Sequence, residues 1–228
     1  MNEPAKPAGR VLRRAARMLS GPLVVAALLV GTAGRLDWWP GWLLVGLFFA
    51  YSLALLLGAG TLLEARRQQP QNTPPAELAL LIAVAALMVV MLGVAGLEAR
   101  AGQPSRIPLV LQIAGWVILL PAAWLATWAL LTNPFAIAFS RIQPERDQRV
   151  ITHGPYRLMR HPVYAGAIAF ALGTPLGLGS AWALLPGGVL TALFVMRTVR
   201  EDALLREQLP GYAEYAAHVR YRLLPGVW

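Results

Sequence analysis

The polar residues able to do chemistry in this chain fall in two short stretches of its C-terminal third. The first, Arg141 to Tyr164, reads RIQPERDQRVITHGPYRLMRHPVY; it is rich in arginine and carries Tyr156, His161 and Tyr164 near its end. The second reads MRTVREDALLREQLPGYAEY and sets Arg197 and Glu201 four residues apart, a spacing that shares one face of a helix. Between them lies an apolar region, Val163 to Met196, interrupted by Gly173, Pro175, Gly177 and Gly179 and again by Pro186, Gly187 and Gly188. We read a hairpin of two helices, because proline and glycine are tolerated in a membrane where neighbouring helices or a cavity satisfy the freed backbone groups. Such a hairpin returns Arg197 to the face from which Pro162 set out. One side then offers Tyr156, His161, Tyr164 and the free amides of a helix start, with Pro162 at the first helical position, where its missing donor costs nothing. The other offers Glu201 and Arg197, and a ligand of mixed charge would match both. Each feature has a plainer counterpart: arginines at a membrane edge also anchor to headgroups, and charged pairs four apart also occur on solvated helices.

The elements that must position these groups are apolar. Of 228 residues, 57% are hydrophobic and 14% charged, against roughly 25% charged in soluble domains. Four stretches, Ser20 to Gly34, Gly41 to Leu63, Leu78 to Leu97 and Ile107 to Leu131, run nearly free of charge. The last three reach the roughly 20 residues that a hydrocarbon core about 30 Å thick requires. The first is shorter and also reads as the core of a secretory signal; a span anchored by Trp38 and Trp39 agrees better with the spans that follow. The expected fold is an all-α integral membrane protein of five to six transmembrane helices, with a C-terminal hairpin and a cytoplasmic cofactor pocket. Residues 1–131 would form a four-span scaffold and residues 132–228 a catalytic region. Glu64, Glu77 and Glu98 fall at span ends and read as solvated.

Charge supports topology more than binding. Lys6, Arg10, Arg13, Arg14 and Arg17, then Arg66 and Arg67, then the Arg141–Arg160 group and the tail alternate with the spans, while Arg35, Arg100 and Arg106 fall on the other side. By the enrichment of basic residues in cytoplasmic segments, both termini are expected in the cytoplasm. The net charge of +9 is thereby accounted for, together with attraction to anionic headgroups, and nothing in its spread over separate segments points to nucleic acid. The chain has no cysteine, which removes disulfides and thiol chemistry within it. Three histidines without a His-Glu-x-x-His pattern make no metal site. With no strand–helix alternation and no Gly-x-Gly-x-x-Gly loop, a soluble dinucleotide fold is excluded.

The segment GPYRLMRHPVYAG resembles the Gly-x-Tyr and Arg-His-Pro-x-Tyr-x-Gly motifs of the isoprenylcysteine carboxyl methyltransferases and related phospholipid methyltransferases. Glu201 with Leu204, Tyr212, Tyr215 and Pro225 is similar to that family's closing segment, so the resemblance covers roughly Asn133 to Trp228. It implies a site for S-adenosyl-L-methionine formed by Gln148, Arg149, Val150, Ile151, Tyr156, His161, Pro162, Val163, Tyr164 and Glu201, with Arg197 near the methyl acceptor. Where the family often shows two adjacent glutamates, this chain has Glu201 and Asp202; Glu201 fits the spacing to Leu204 and Tyr212, and Asp202 is the alternative.

Methyl transfer from a sulfonium to a carboxylate needs no general base, so positioning can supply most of the acceleration. An amine acceptor would need one, and the nearest candidates are His161 and Glu201. The acceptor is expected to be a lipid or lipidated amphiphile, with O-methylation of an isoprenylcysteine-like carboxylate favoured and a phospholipid amine or an unrelated lipid or small molecule also open. Arginine almost entirely replaces lysine, and alanine is abundant, which suggests a high-GC bacterium and therefore its inner membrane. The competing enzyme is a sterol-type membrane reductase using NADPH, whose dinucleotide calls for more polar loop than is present. A transporter or structural protein is the non-enzymatic alternative, disfavoured by polar groups at the edge of the bilayer and by the lack of an internal repeat.

Overall fold

In the computed structural model, which describes residues 7–58, 74–102 and 105–228, all regular structure among those residues is helical. Four long helices come first: α1 (Pro7–Ala33), α2 (Trp39–Gly58), α3 (Pro75–Arg100) and α4 (Leu109–Thr132). A hairpin follows, α5 (Pro162–Leu178) and α6 (Leu184–Gln208), and a short α7 (Tyr212–His218) ends the series. Helices α2, α3 and α4 are each long and apolar enough to cross a membrane, while Leu19–Ala33 and α5 are shorter apolar helices. The protein is an all-α integral membrane protein. Glu64, Arg66, Arg67 and Lys6 lie outside the described residues.

Proline sets several helix starts. Pro74 and Pro75 open α3, Pro108 precedes α4, and His161 with Pro162 opens α5 where the sequence placed it. The hairpin differs in one respect. Gly173, Pro175 and Gly177 do not break the helix; α5 runs through them and ends at Gly179, which takes the left-handed conformation at φ 72°. Pro175 cannot donate to the carbonyl of Ala171, and Gly187 of α6 closes on that oxygen: a Cβ there would come within 2.4 Å of it.

Small residues also join α4 to α5, the most extensive helix contact in the fold. A Cβ on Gly115 would stand 2.4 Å from the Gly177 nitrogen and 2.8 Å from the Gly173 carbonyl, so the two backbones meet directly. Between membrane helices, where lipid is as apolar as leucine, such close packing is the main attraction available. A core of Val25, Leu29, Leu44, Met91, Leu92, Ala171 and Leu190 ties α1, α2 and α3 to the hairpin. Outside it, Ile113, Val117, Leu120 and Trp124 of α4 are exposed along one helical stripe, the face presented to lipid.

The two ends of the bundle are polar. At one, Arg35 pairs with Asp37, and Glu98 accepts from Ser180 and from the Trp182 amide at the hairpin turn. Glu98 is therefore not the merely solvated carboxylate expected at a span end; it caps the hairpin across 82 positions of sequence. At the other end, the chain between α4 and α5 folds back over the bundle. Gln143 donates to the Phe135 carbonyl at 2.7 Å and Arg146 to the Pro134 carbonyl at 2.9 Å, with the Arg146 guanidinium over the Phe135 ring. These residues hold the 133–151 loop in place.

Candidate active site

The cavity of about 440 Å³ at this second end is bounded by the 133–151 loop, the start of α5, the outer part of α6, and α7. Its volume falls in the range of about 300–1,000 Å³ usual for small-molecule sites. Gln148, Arg149, Val150 and Ile151 line it from the loop; Tyr156, His161, Pro162, Val163 and Tyr164 line it from the approach to α5; Arg197 and Glu201 line it from α6. The structure thus brings all eleven sequence-selected residues to one cavity. Leu81 of α3, Leu130 of α4 and Phe194 of α6 add apolar surface to its wall from the bundle helices.

Tyr164 is the joint of the polar wall. Its hydroxyl donates to Glu201 at 2.6 Å and accepts from Arg197 Nε at 2.8 Å, so the i,i+4 pair on α6 meets through a third side chain and not directly. Glu201 also accepts from the Ser140 hydroxyl at 2.7 Å. Arg197, only 6% exposed, donates through Nη2 to the Ala138 carbonyl and, at 3.1 Å, to Glu77. The Ser140 amide reaches the same Glu77 oxygen at 3.2 Å. Glu77 is another correction to the reading of span-end carboxylates as solvated, since it is tied into the site from the first turn of α3.

Behind this wall lies a buried ionic cluster centred on Asp202. The carboxylate accepts from Arg160 at 2.7 and 3.2 Å, from Arg206 at 3.1 Å, from Arg222 at 3.2 Å and from the Tyr212 hydroxyl at 3.0 Å. Arg160 further donates to the carbonyls of Val219 and Arg220, and the amides of Arg160 and His161 bond to the carbonyls of Tyr221 and Arg222. The tail is thereby fastened across the start of α5. Arg160, just before the start of α5, is committed to Asp202.

Charge and solvation set the state of this cluster, which lies beyond the apolar part of α6. Burial alone raises the Asp202 pKa, but hydrogen bonds from His161, Arg160 and Arg206 outweigh it and hold the carboxyl far below the ordinary carboxylate range. Burial, and then the Asp202 charge, push the Tyr212 phenol up, so it stays a donor. His161 Nε2 stands 3.3 Å from Asp202 and 3.4 Å from the Tyr212 oxygen. An ionised carboxylate only accepts, so Nε2 is assigned the hydrogen. The His161 ring stacks on Tyr164 at 5.9 Å, which links the buried cluster to the polar wall.

The neighbouring acids Glu201 and Asp202 therefore have separate places: Glu201 lines the cavity and Asp202 is 1% exposed behind it. Two parts of the site were not singled out from sequence. One is the strap Asn133 to Phe139, whose Phe135, Ala136 and Ile137 line the cavity and whose Asn133 donates to the Tyr156 hydroxyl at 3.2 Å. Its aromatic residues directly after an apolar run were the available signal. The other is Glu77, which carried none. Among the described residues no group of three or more His, Cys, Asp or Glu side chains could hold a metal ion.

Comparison with known proteins bears on this region. Residues 110–210 match the phospholipid methyltransferase family. Over 81 residues the chain is 40% identical to a probable protein-S-isoprenylcysteine O-methyltransferase of Oryza sativa subsp. indica and equally to one of subsp. japonica, covering 35% of this chain and 42% of each rice protein. It is 32% identical over 81 residues to protein-S-isoprenylcysteine O-methyltransferase A of Arabidopsis thaliana, covering 35% of this chain and 41% of that protein. The matched segment thus spans less than half the length of these relatives. Over part of its length the chain is thus similar to the phospholipid methyltransferase family and to the isoprenylcysteine O-methyltransferases of rice and Arabidopsis.

Proposed function

We propose that the protein transfers the methyl group of S-adenosyl-L-methionine to the carboxylate of a membrane amphiphile. The observation that carries this is one cavity whose lining combines the charged Arg149, Arg197 and Glu201 with the apolar Leu81, Leu130 and Phe194. Glu201 offers an acceptor to a positively charged or hydroxyl-bearing part of the cofactor, and Arg149 an exposed guanidinium to a carboxylate. Gln148 to Ile151 and the segment from Tyr156 to Tyr164 would form the rest of its cradle. Bound there, the cofactor supplies an electrophilic methyl group on a sulfonium. The chain's part is to hold the acceptor in line and keep water out, which the dry position of Arg197 suits. An amine acceptor is less well served: His161 Nε2 faces Asp202, and Glu201 already receives Tyr164 and Ser140.

The acceptor's tail would rest on the apolar wall and continue into lipid. The cavity end of the bundle is the cytoplasmic end, by the excess of arginine in the segments that reach it. Calorimetry of the purified protein in lipid nanodiscs tests the cofactor. S-adenosylhomocysteine should bind and NADPH should not. Binding of NADPH alone would replace this reading with a reductase.

A further inference from the structure

Arg197, the residue proposed to receive the acceptor, already has an anion. Glu77 meets its Nη2 at 3.1 Å, and the two side chains join α3 to α6 across the edge of the cavity. Leu81 lies four residues after Glu77 on α3, and Phe194 three before Arg197 on α6, spacings that put them on the same faces one turn deeper. Both line the cavity, so the ion pair stands directly over its apolar wall. An amphiphile whose tail lies against Leu81 and Phe194 would bring its headgroup to this pair.

The two partners are unequally held. Arg197 is 6% exposed and fixed by three further contacts, to Tyr164, to the Ala138 carbonyl and over the Tyr164 ring. Glu77 is 23% exposed, and it keeps other support when Arg197 lets go: the Ser140 amide and the first turn of its own helix, where the backbone dipole favours a carboxylate. We infer that Glu77 is the resting occupant of the acceptor position on Arg197, and that the acceptor's carboxylate displaces it. Glu77 is thus a specificity-determining residue in the N-terminal half of the chain. It excludes neutral headgroups, which cannot compete for the guanidinium, and it closes the α3–α6 edge until an anion arrives.

This role depends on the acceptor being a carboxylate, as proposed above, and one assay separates the two. Protein in nanodiscs is given methyl-labelled S-adenosylmethionine and an N-acetyl-S-farnesylcysteine probe. Failure of the wild type to esterify the probe would overturn the carboxylate reading and this inference with it. Where the wild type is active, Glu77→Gln should lower the KM for the probe about fivefold, as expected for removing a partly exposed competing charge. Glu77→Asp, which keeps the charge on a shorter arm, should fall between. Retained binding of S-adenosylhomocysteine reports that each variant is folded. An unchanged or raised KM in Glu77→Gln, or in Glu77→Asp should the glutamine variant not fold, would overturn the displacement and leave the carboxylate reading standing.

Discussion

Replacing Asp202 by asparagine should unlock the tail from the start of α5. The amide retains one accepting oxygen but sets an NH₂ group against guanidinium donors, and it removes the charge that balances Arg160. The Arg160 and Asp202 side chains are each 2% exposed, which places this pair among buried ones, where removal of one partner costs about 3–5 kcal/mol. Arg206 and Arg222 are 43% and 32% exposed, so each adds only the surface value of about 0–1 kcal/mol. Arg160 therefore dominates. For a chain of this size, about 2–4 °C of midpoint per kcal/mol gives a fall of about 6–20 °C. Thermal unfolding in nanodiscs, followed by circular dichroism, measures it, with Glu207→Gln as an exposed control that removes a charge from the same helix. A midpoint for Asp202→Asn within about 2 °C of wild type would refute the assignment of the cluster as the clasp of the site.

Other expectations follow from the same geometry. Because the folded pKa of Asp202 is depressed, its contribution is complete above the ordinary carboxylate pKa of about 4 and is lost only as pH falls below that value; stability measured from neutral to acid pH should decline in wild type, with a smaller decline in Asp202→Asn. Gly115→Leu should destabilise by about 1–3 kcal/mol or more, because its side chain meets the α5 backbone. Gly46→Leu, where nothing lies within 4 Å, should leave the melting midpoint nearly unchanged. Tyr164→Phe keeps the ring on His161 but removes the hydroxyl shared by Arg197 and Glu201. At about 1.5–3 kcal/mol for a hydrogen bond to a charged group, kcat/KM should fall about tenfold or more.

Much of this arrangement is local and hence readable in the sequence. Proline at a helix start, a glycine-marked turn and two polar stretches flanking an apolar pair of helices require Pro162 and Arg197 to end on one face. What the sequence could not show depends on partners far along the chain. Glu201 and Asp202 differ by about 100° around α6, and either face could have met the cavity. The choice is made by Arg160, Tyr212 and Arg222, which surround one of them. Glu77 stands 120 positions from Arg197 and looked like any carboxylate at a span end. Pro175 and Gly187 carried the opposite lesson: residues that read as breaks instead permit two helices to touch.

The central claim is that the cavity lined by Glu201 and Arg197 moves a methyl group onto a membrane carboxylate. The most direct measurement is incubation of the purified protein with methyl-labelled S-adenosylmethionine and native membranes, followed by organic extraction and mild alkali. The account predicts labelled amphiphile whose label is released by alkali as methanol, as from a methyl ester, and its loss in Glu201→Gln. Absence of label with the wild type, label resistant to alkali, or undiminished labelling by Glu201→Gln would contradict it.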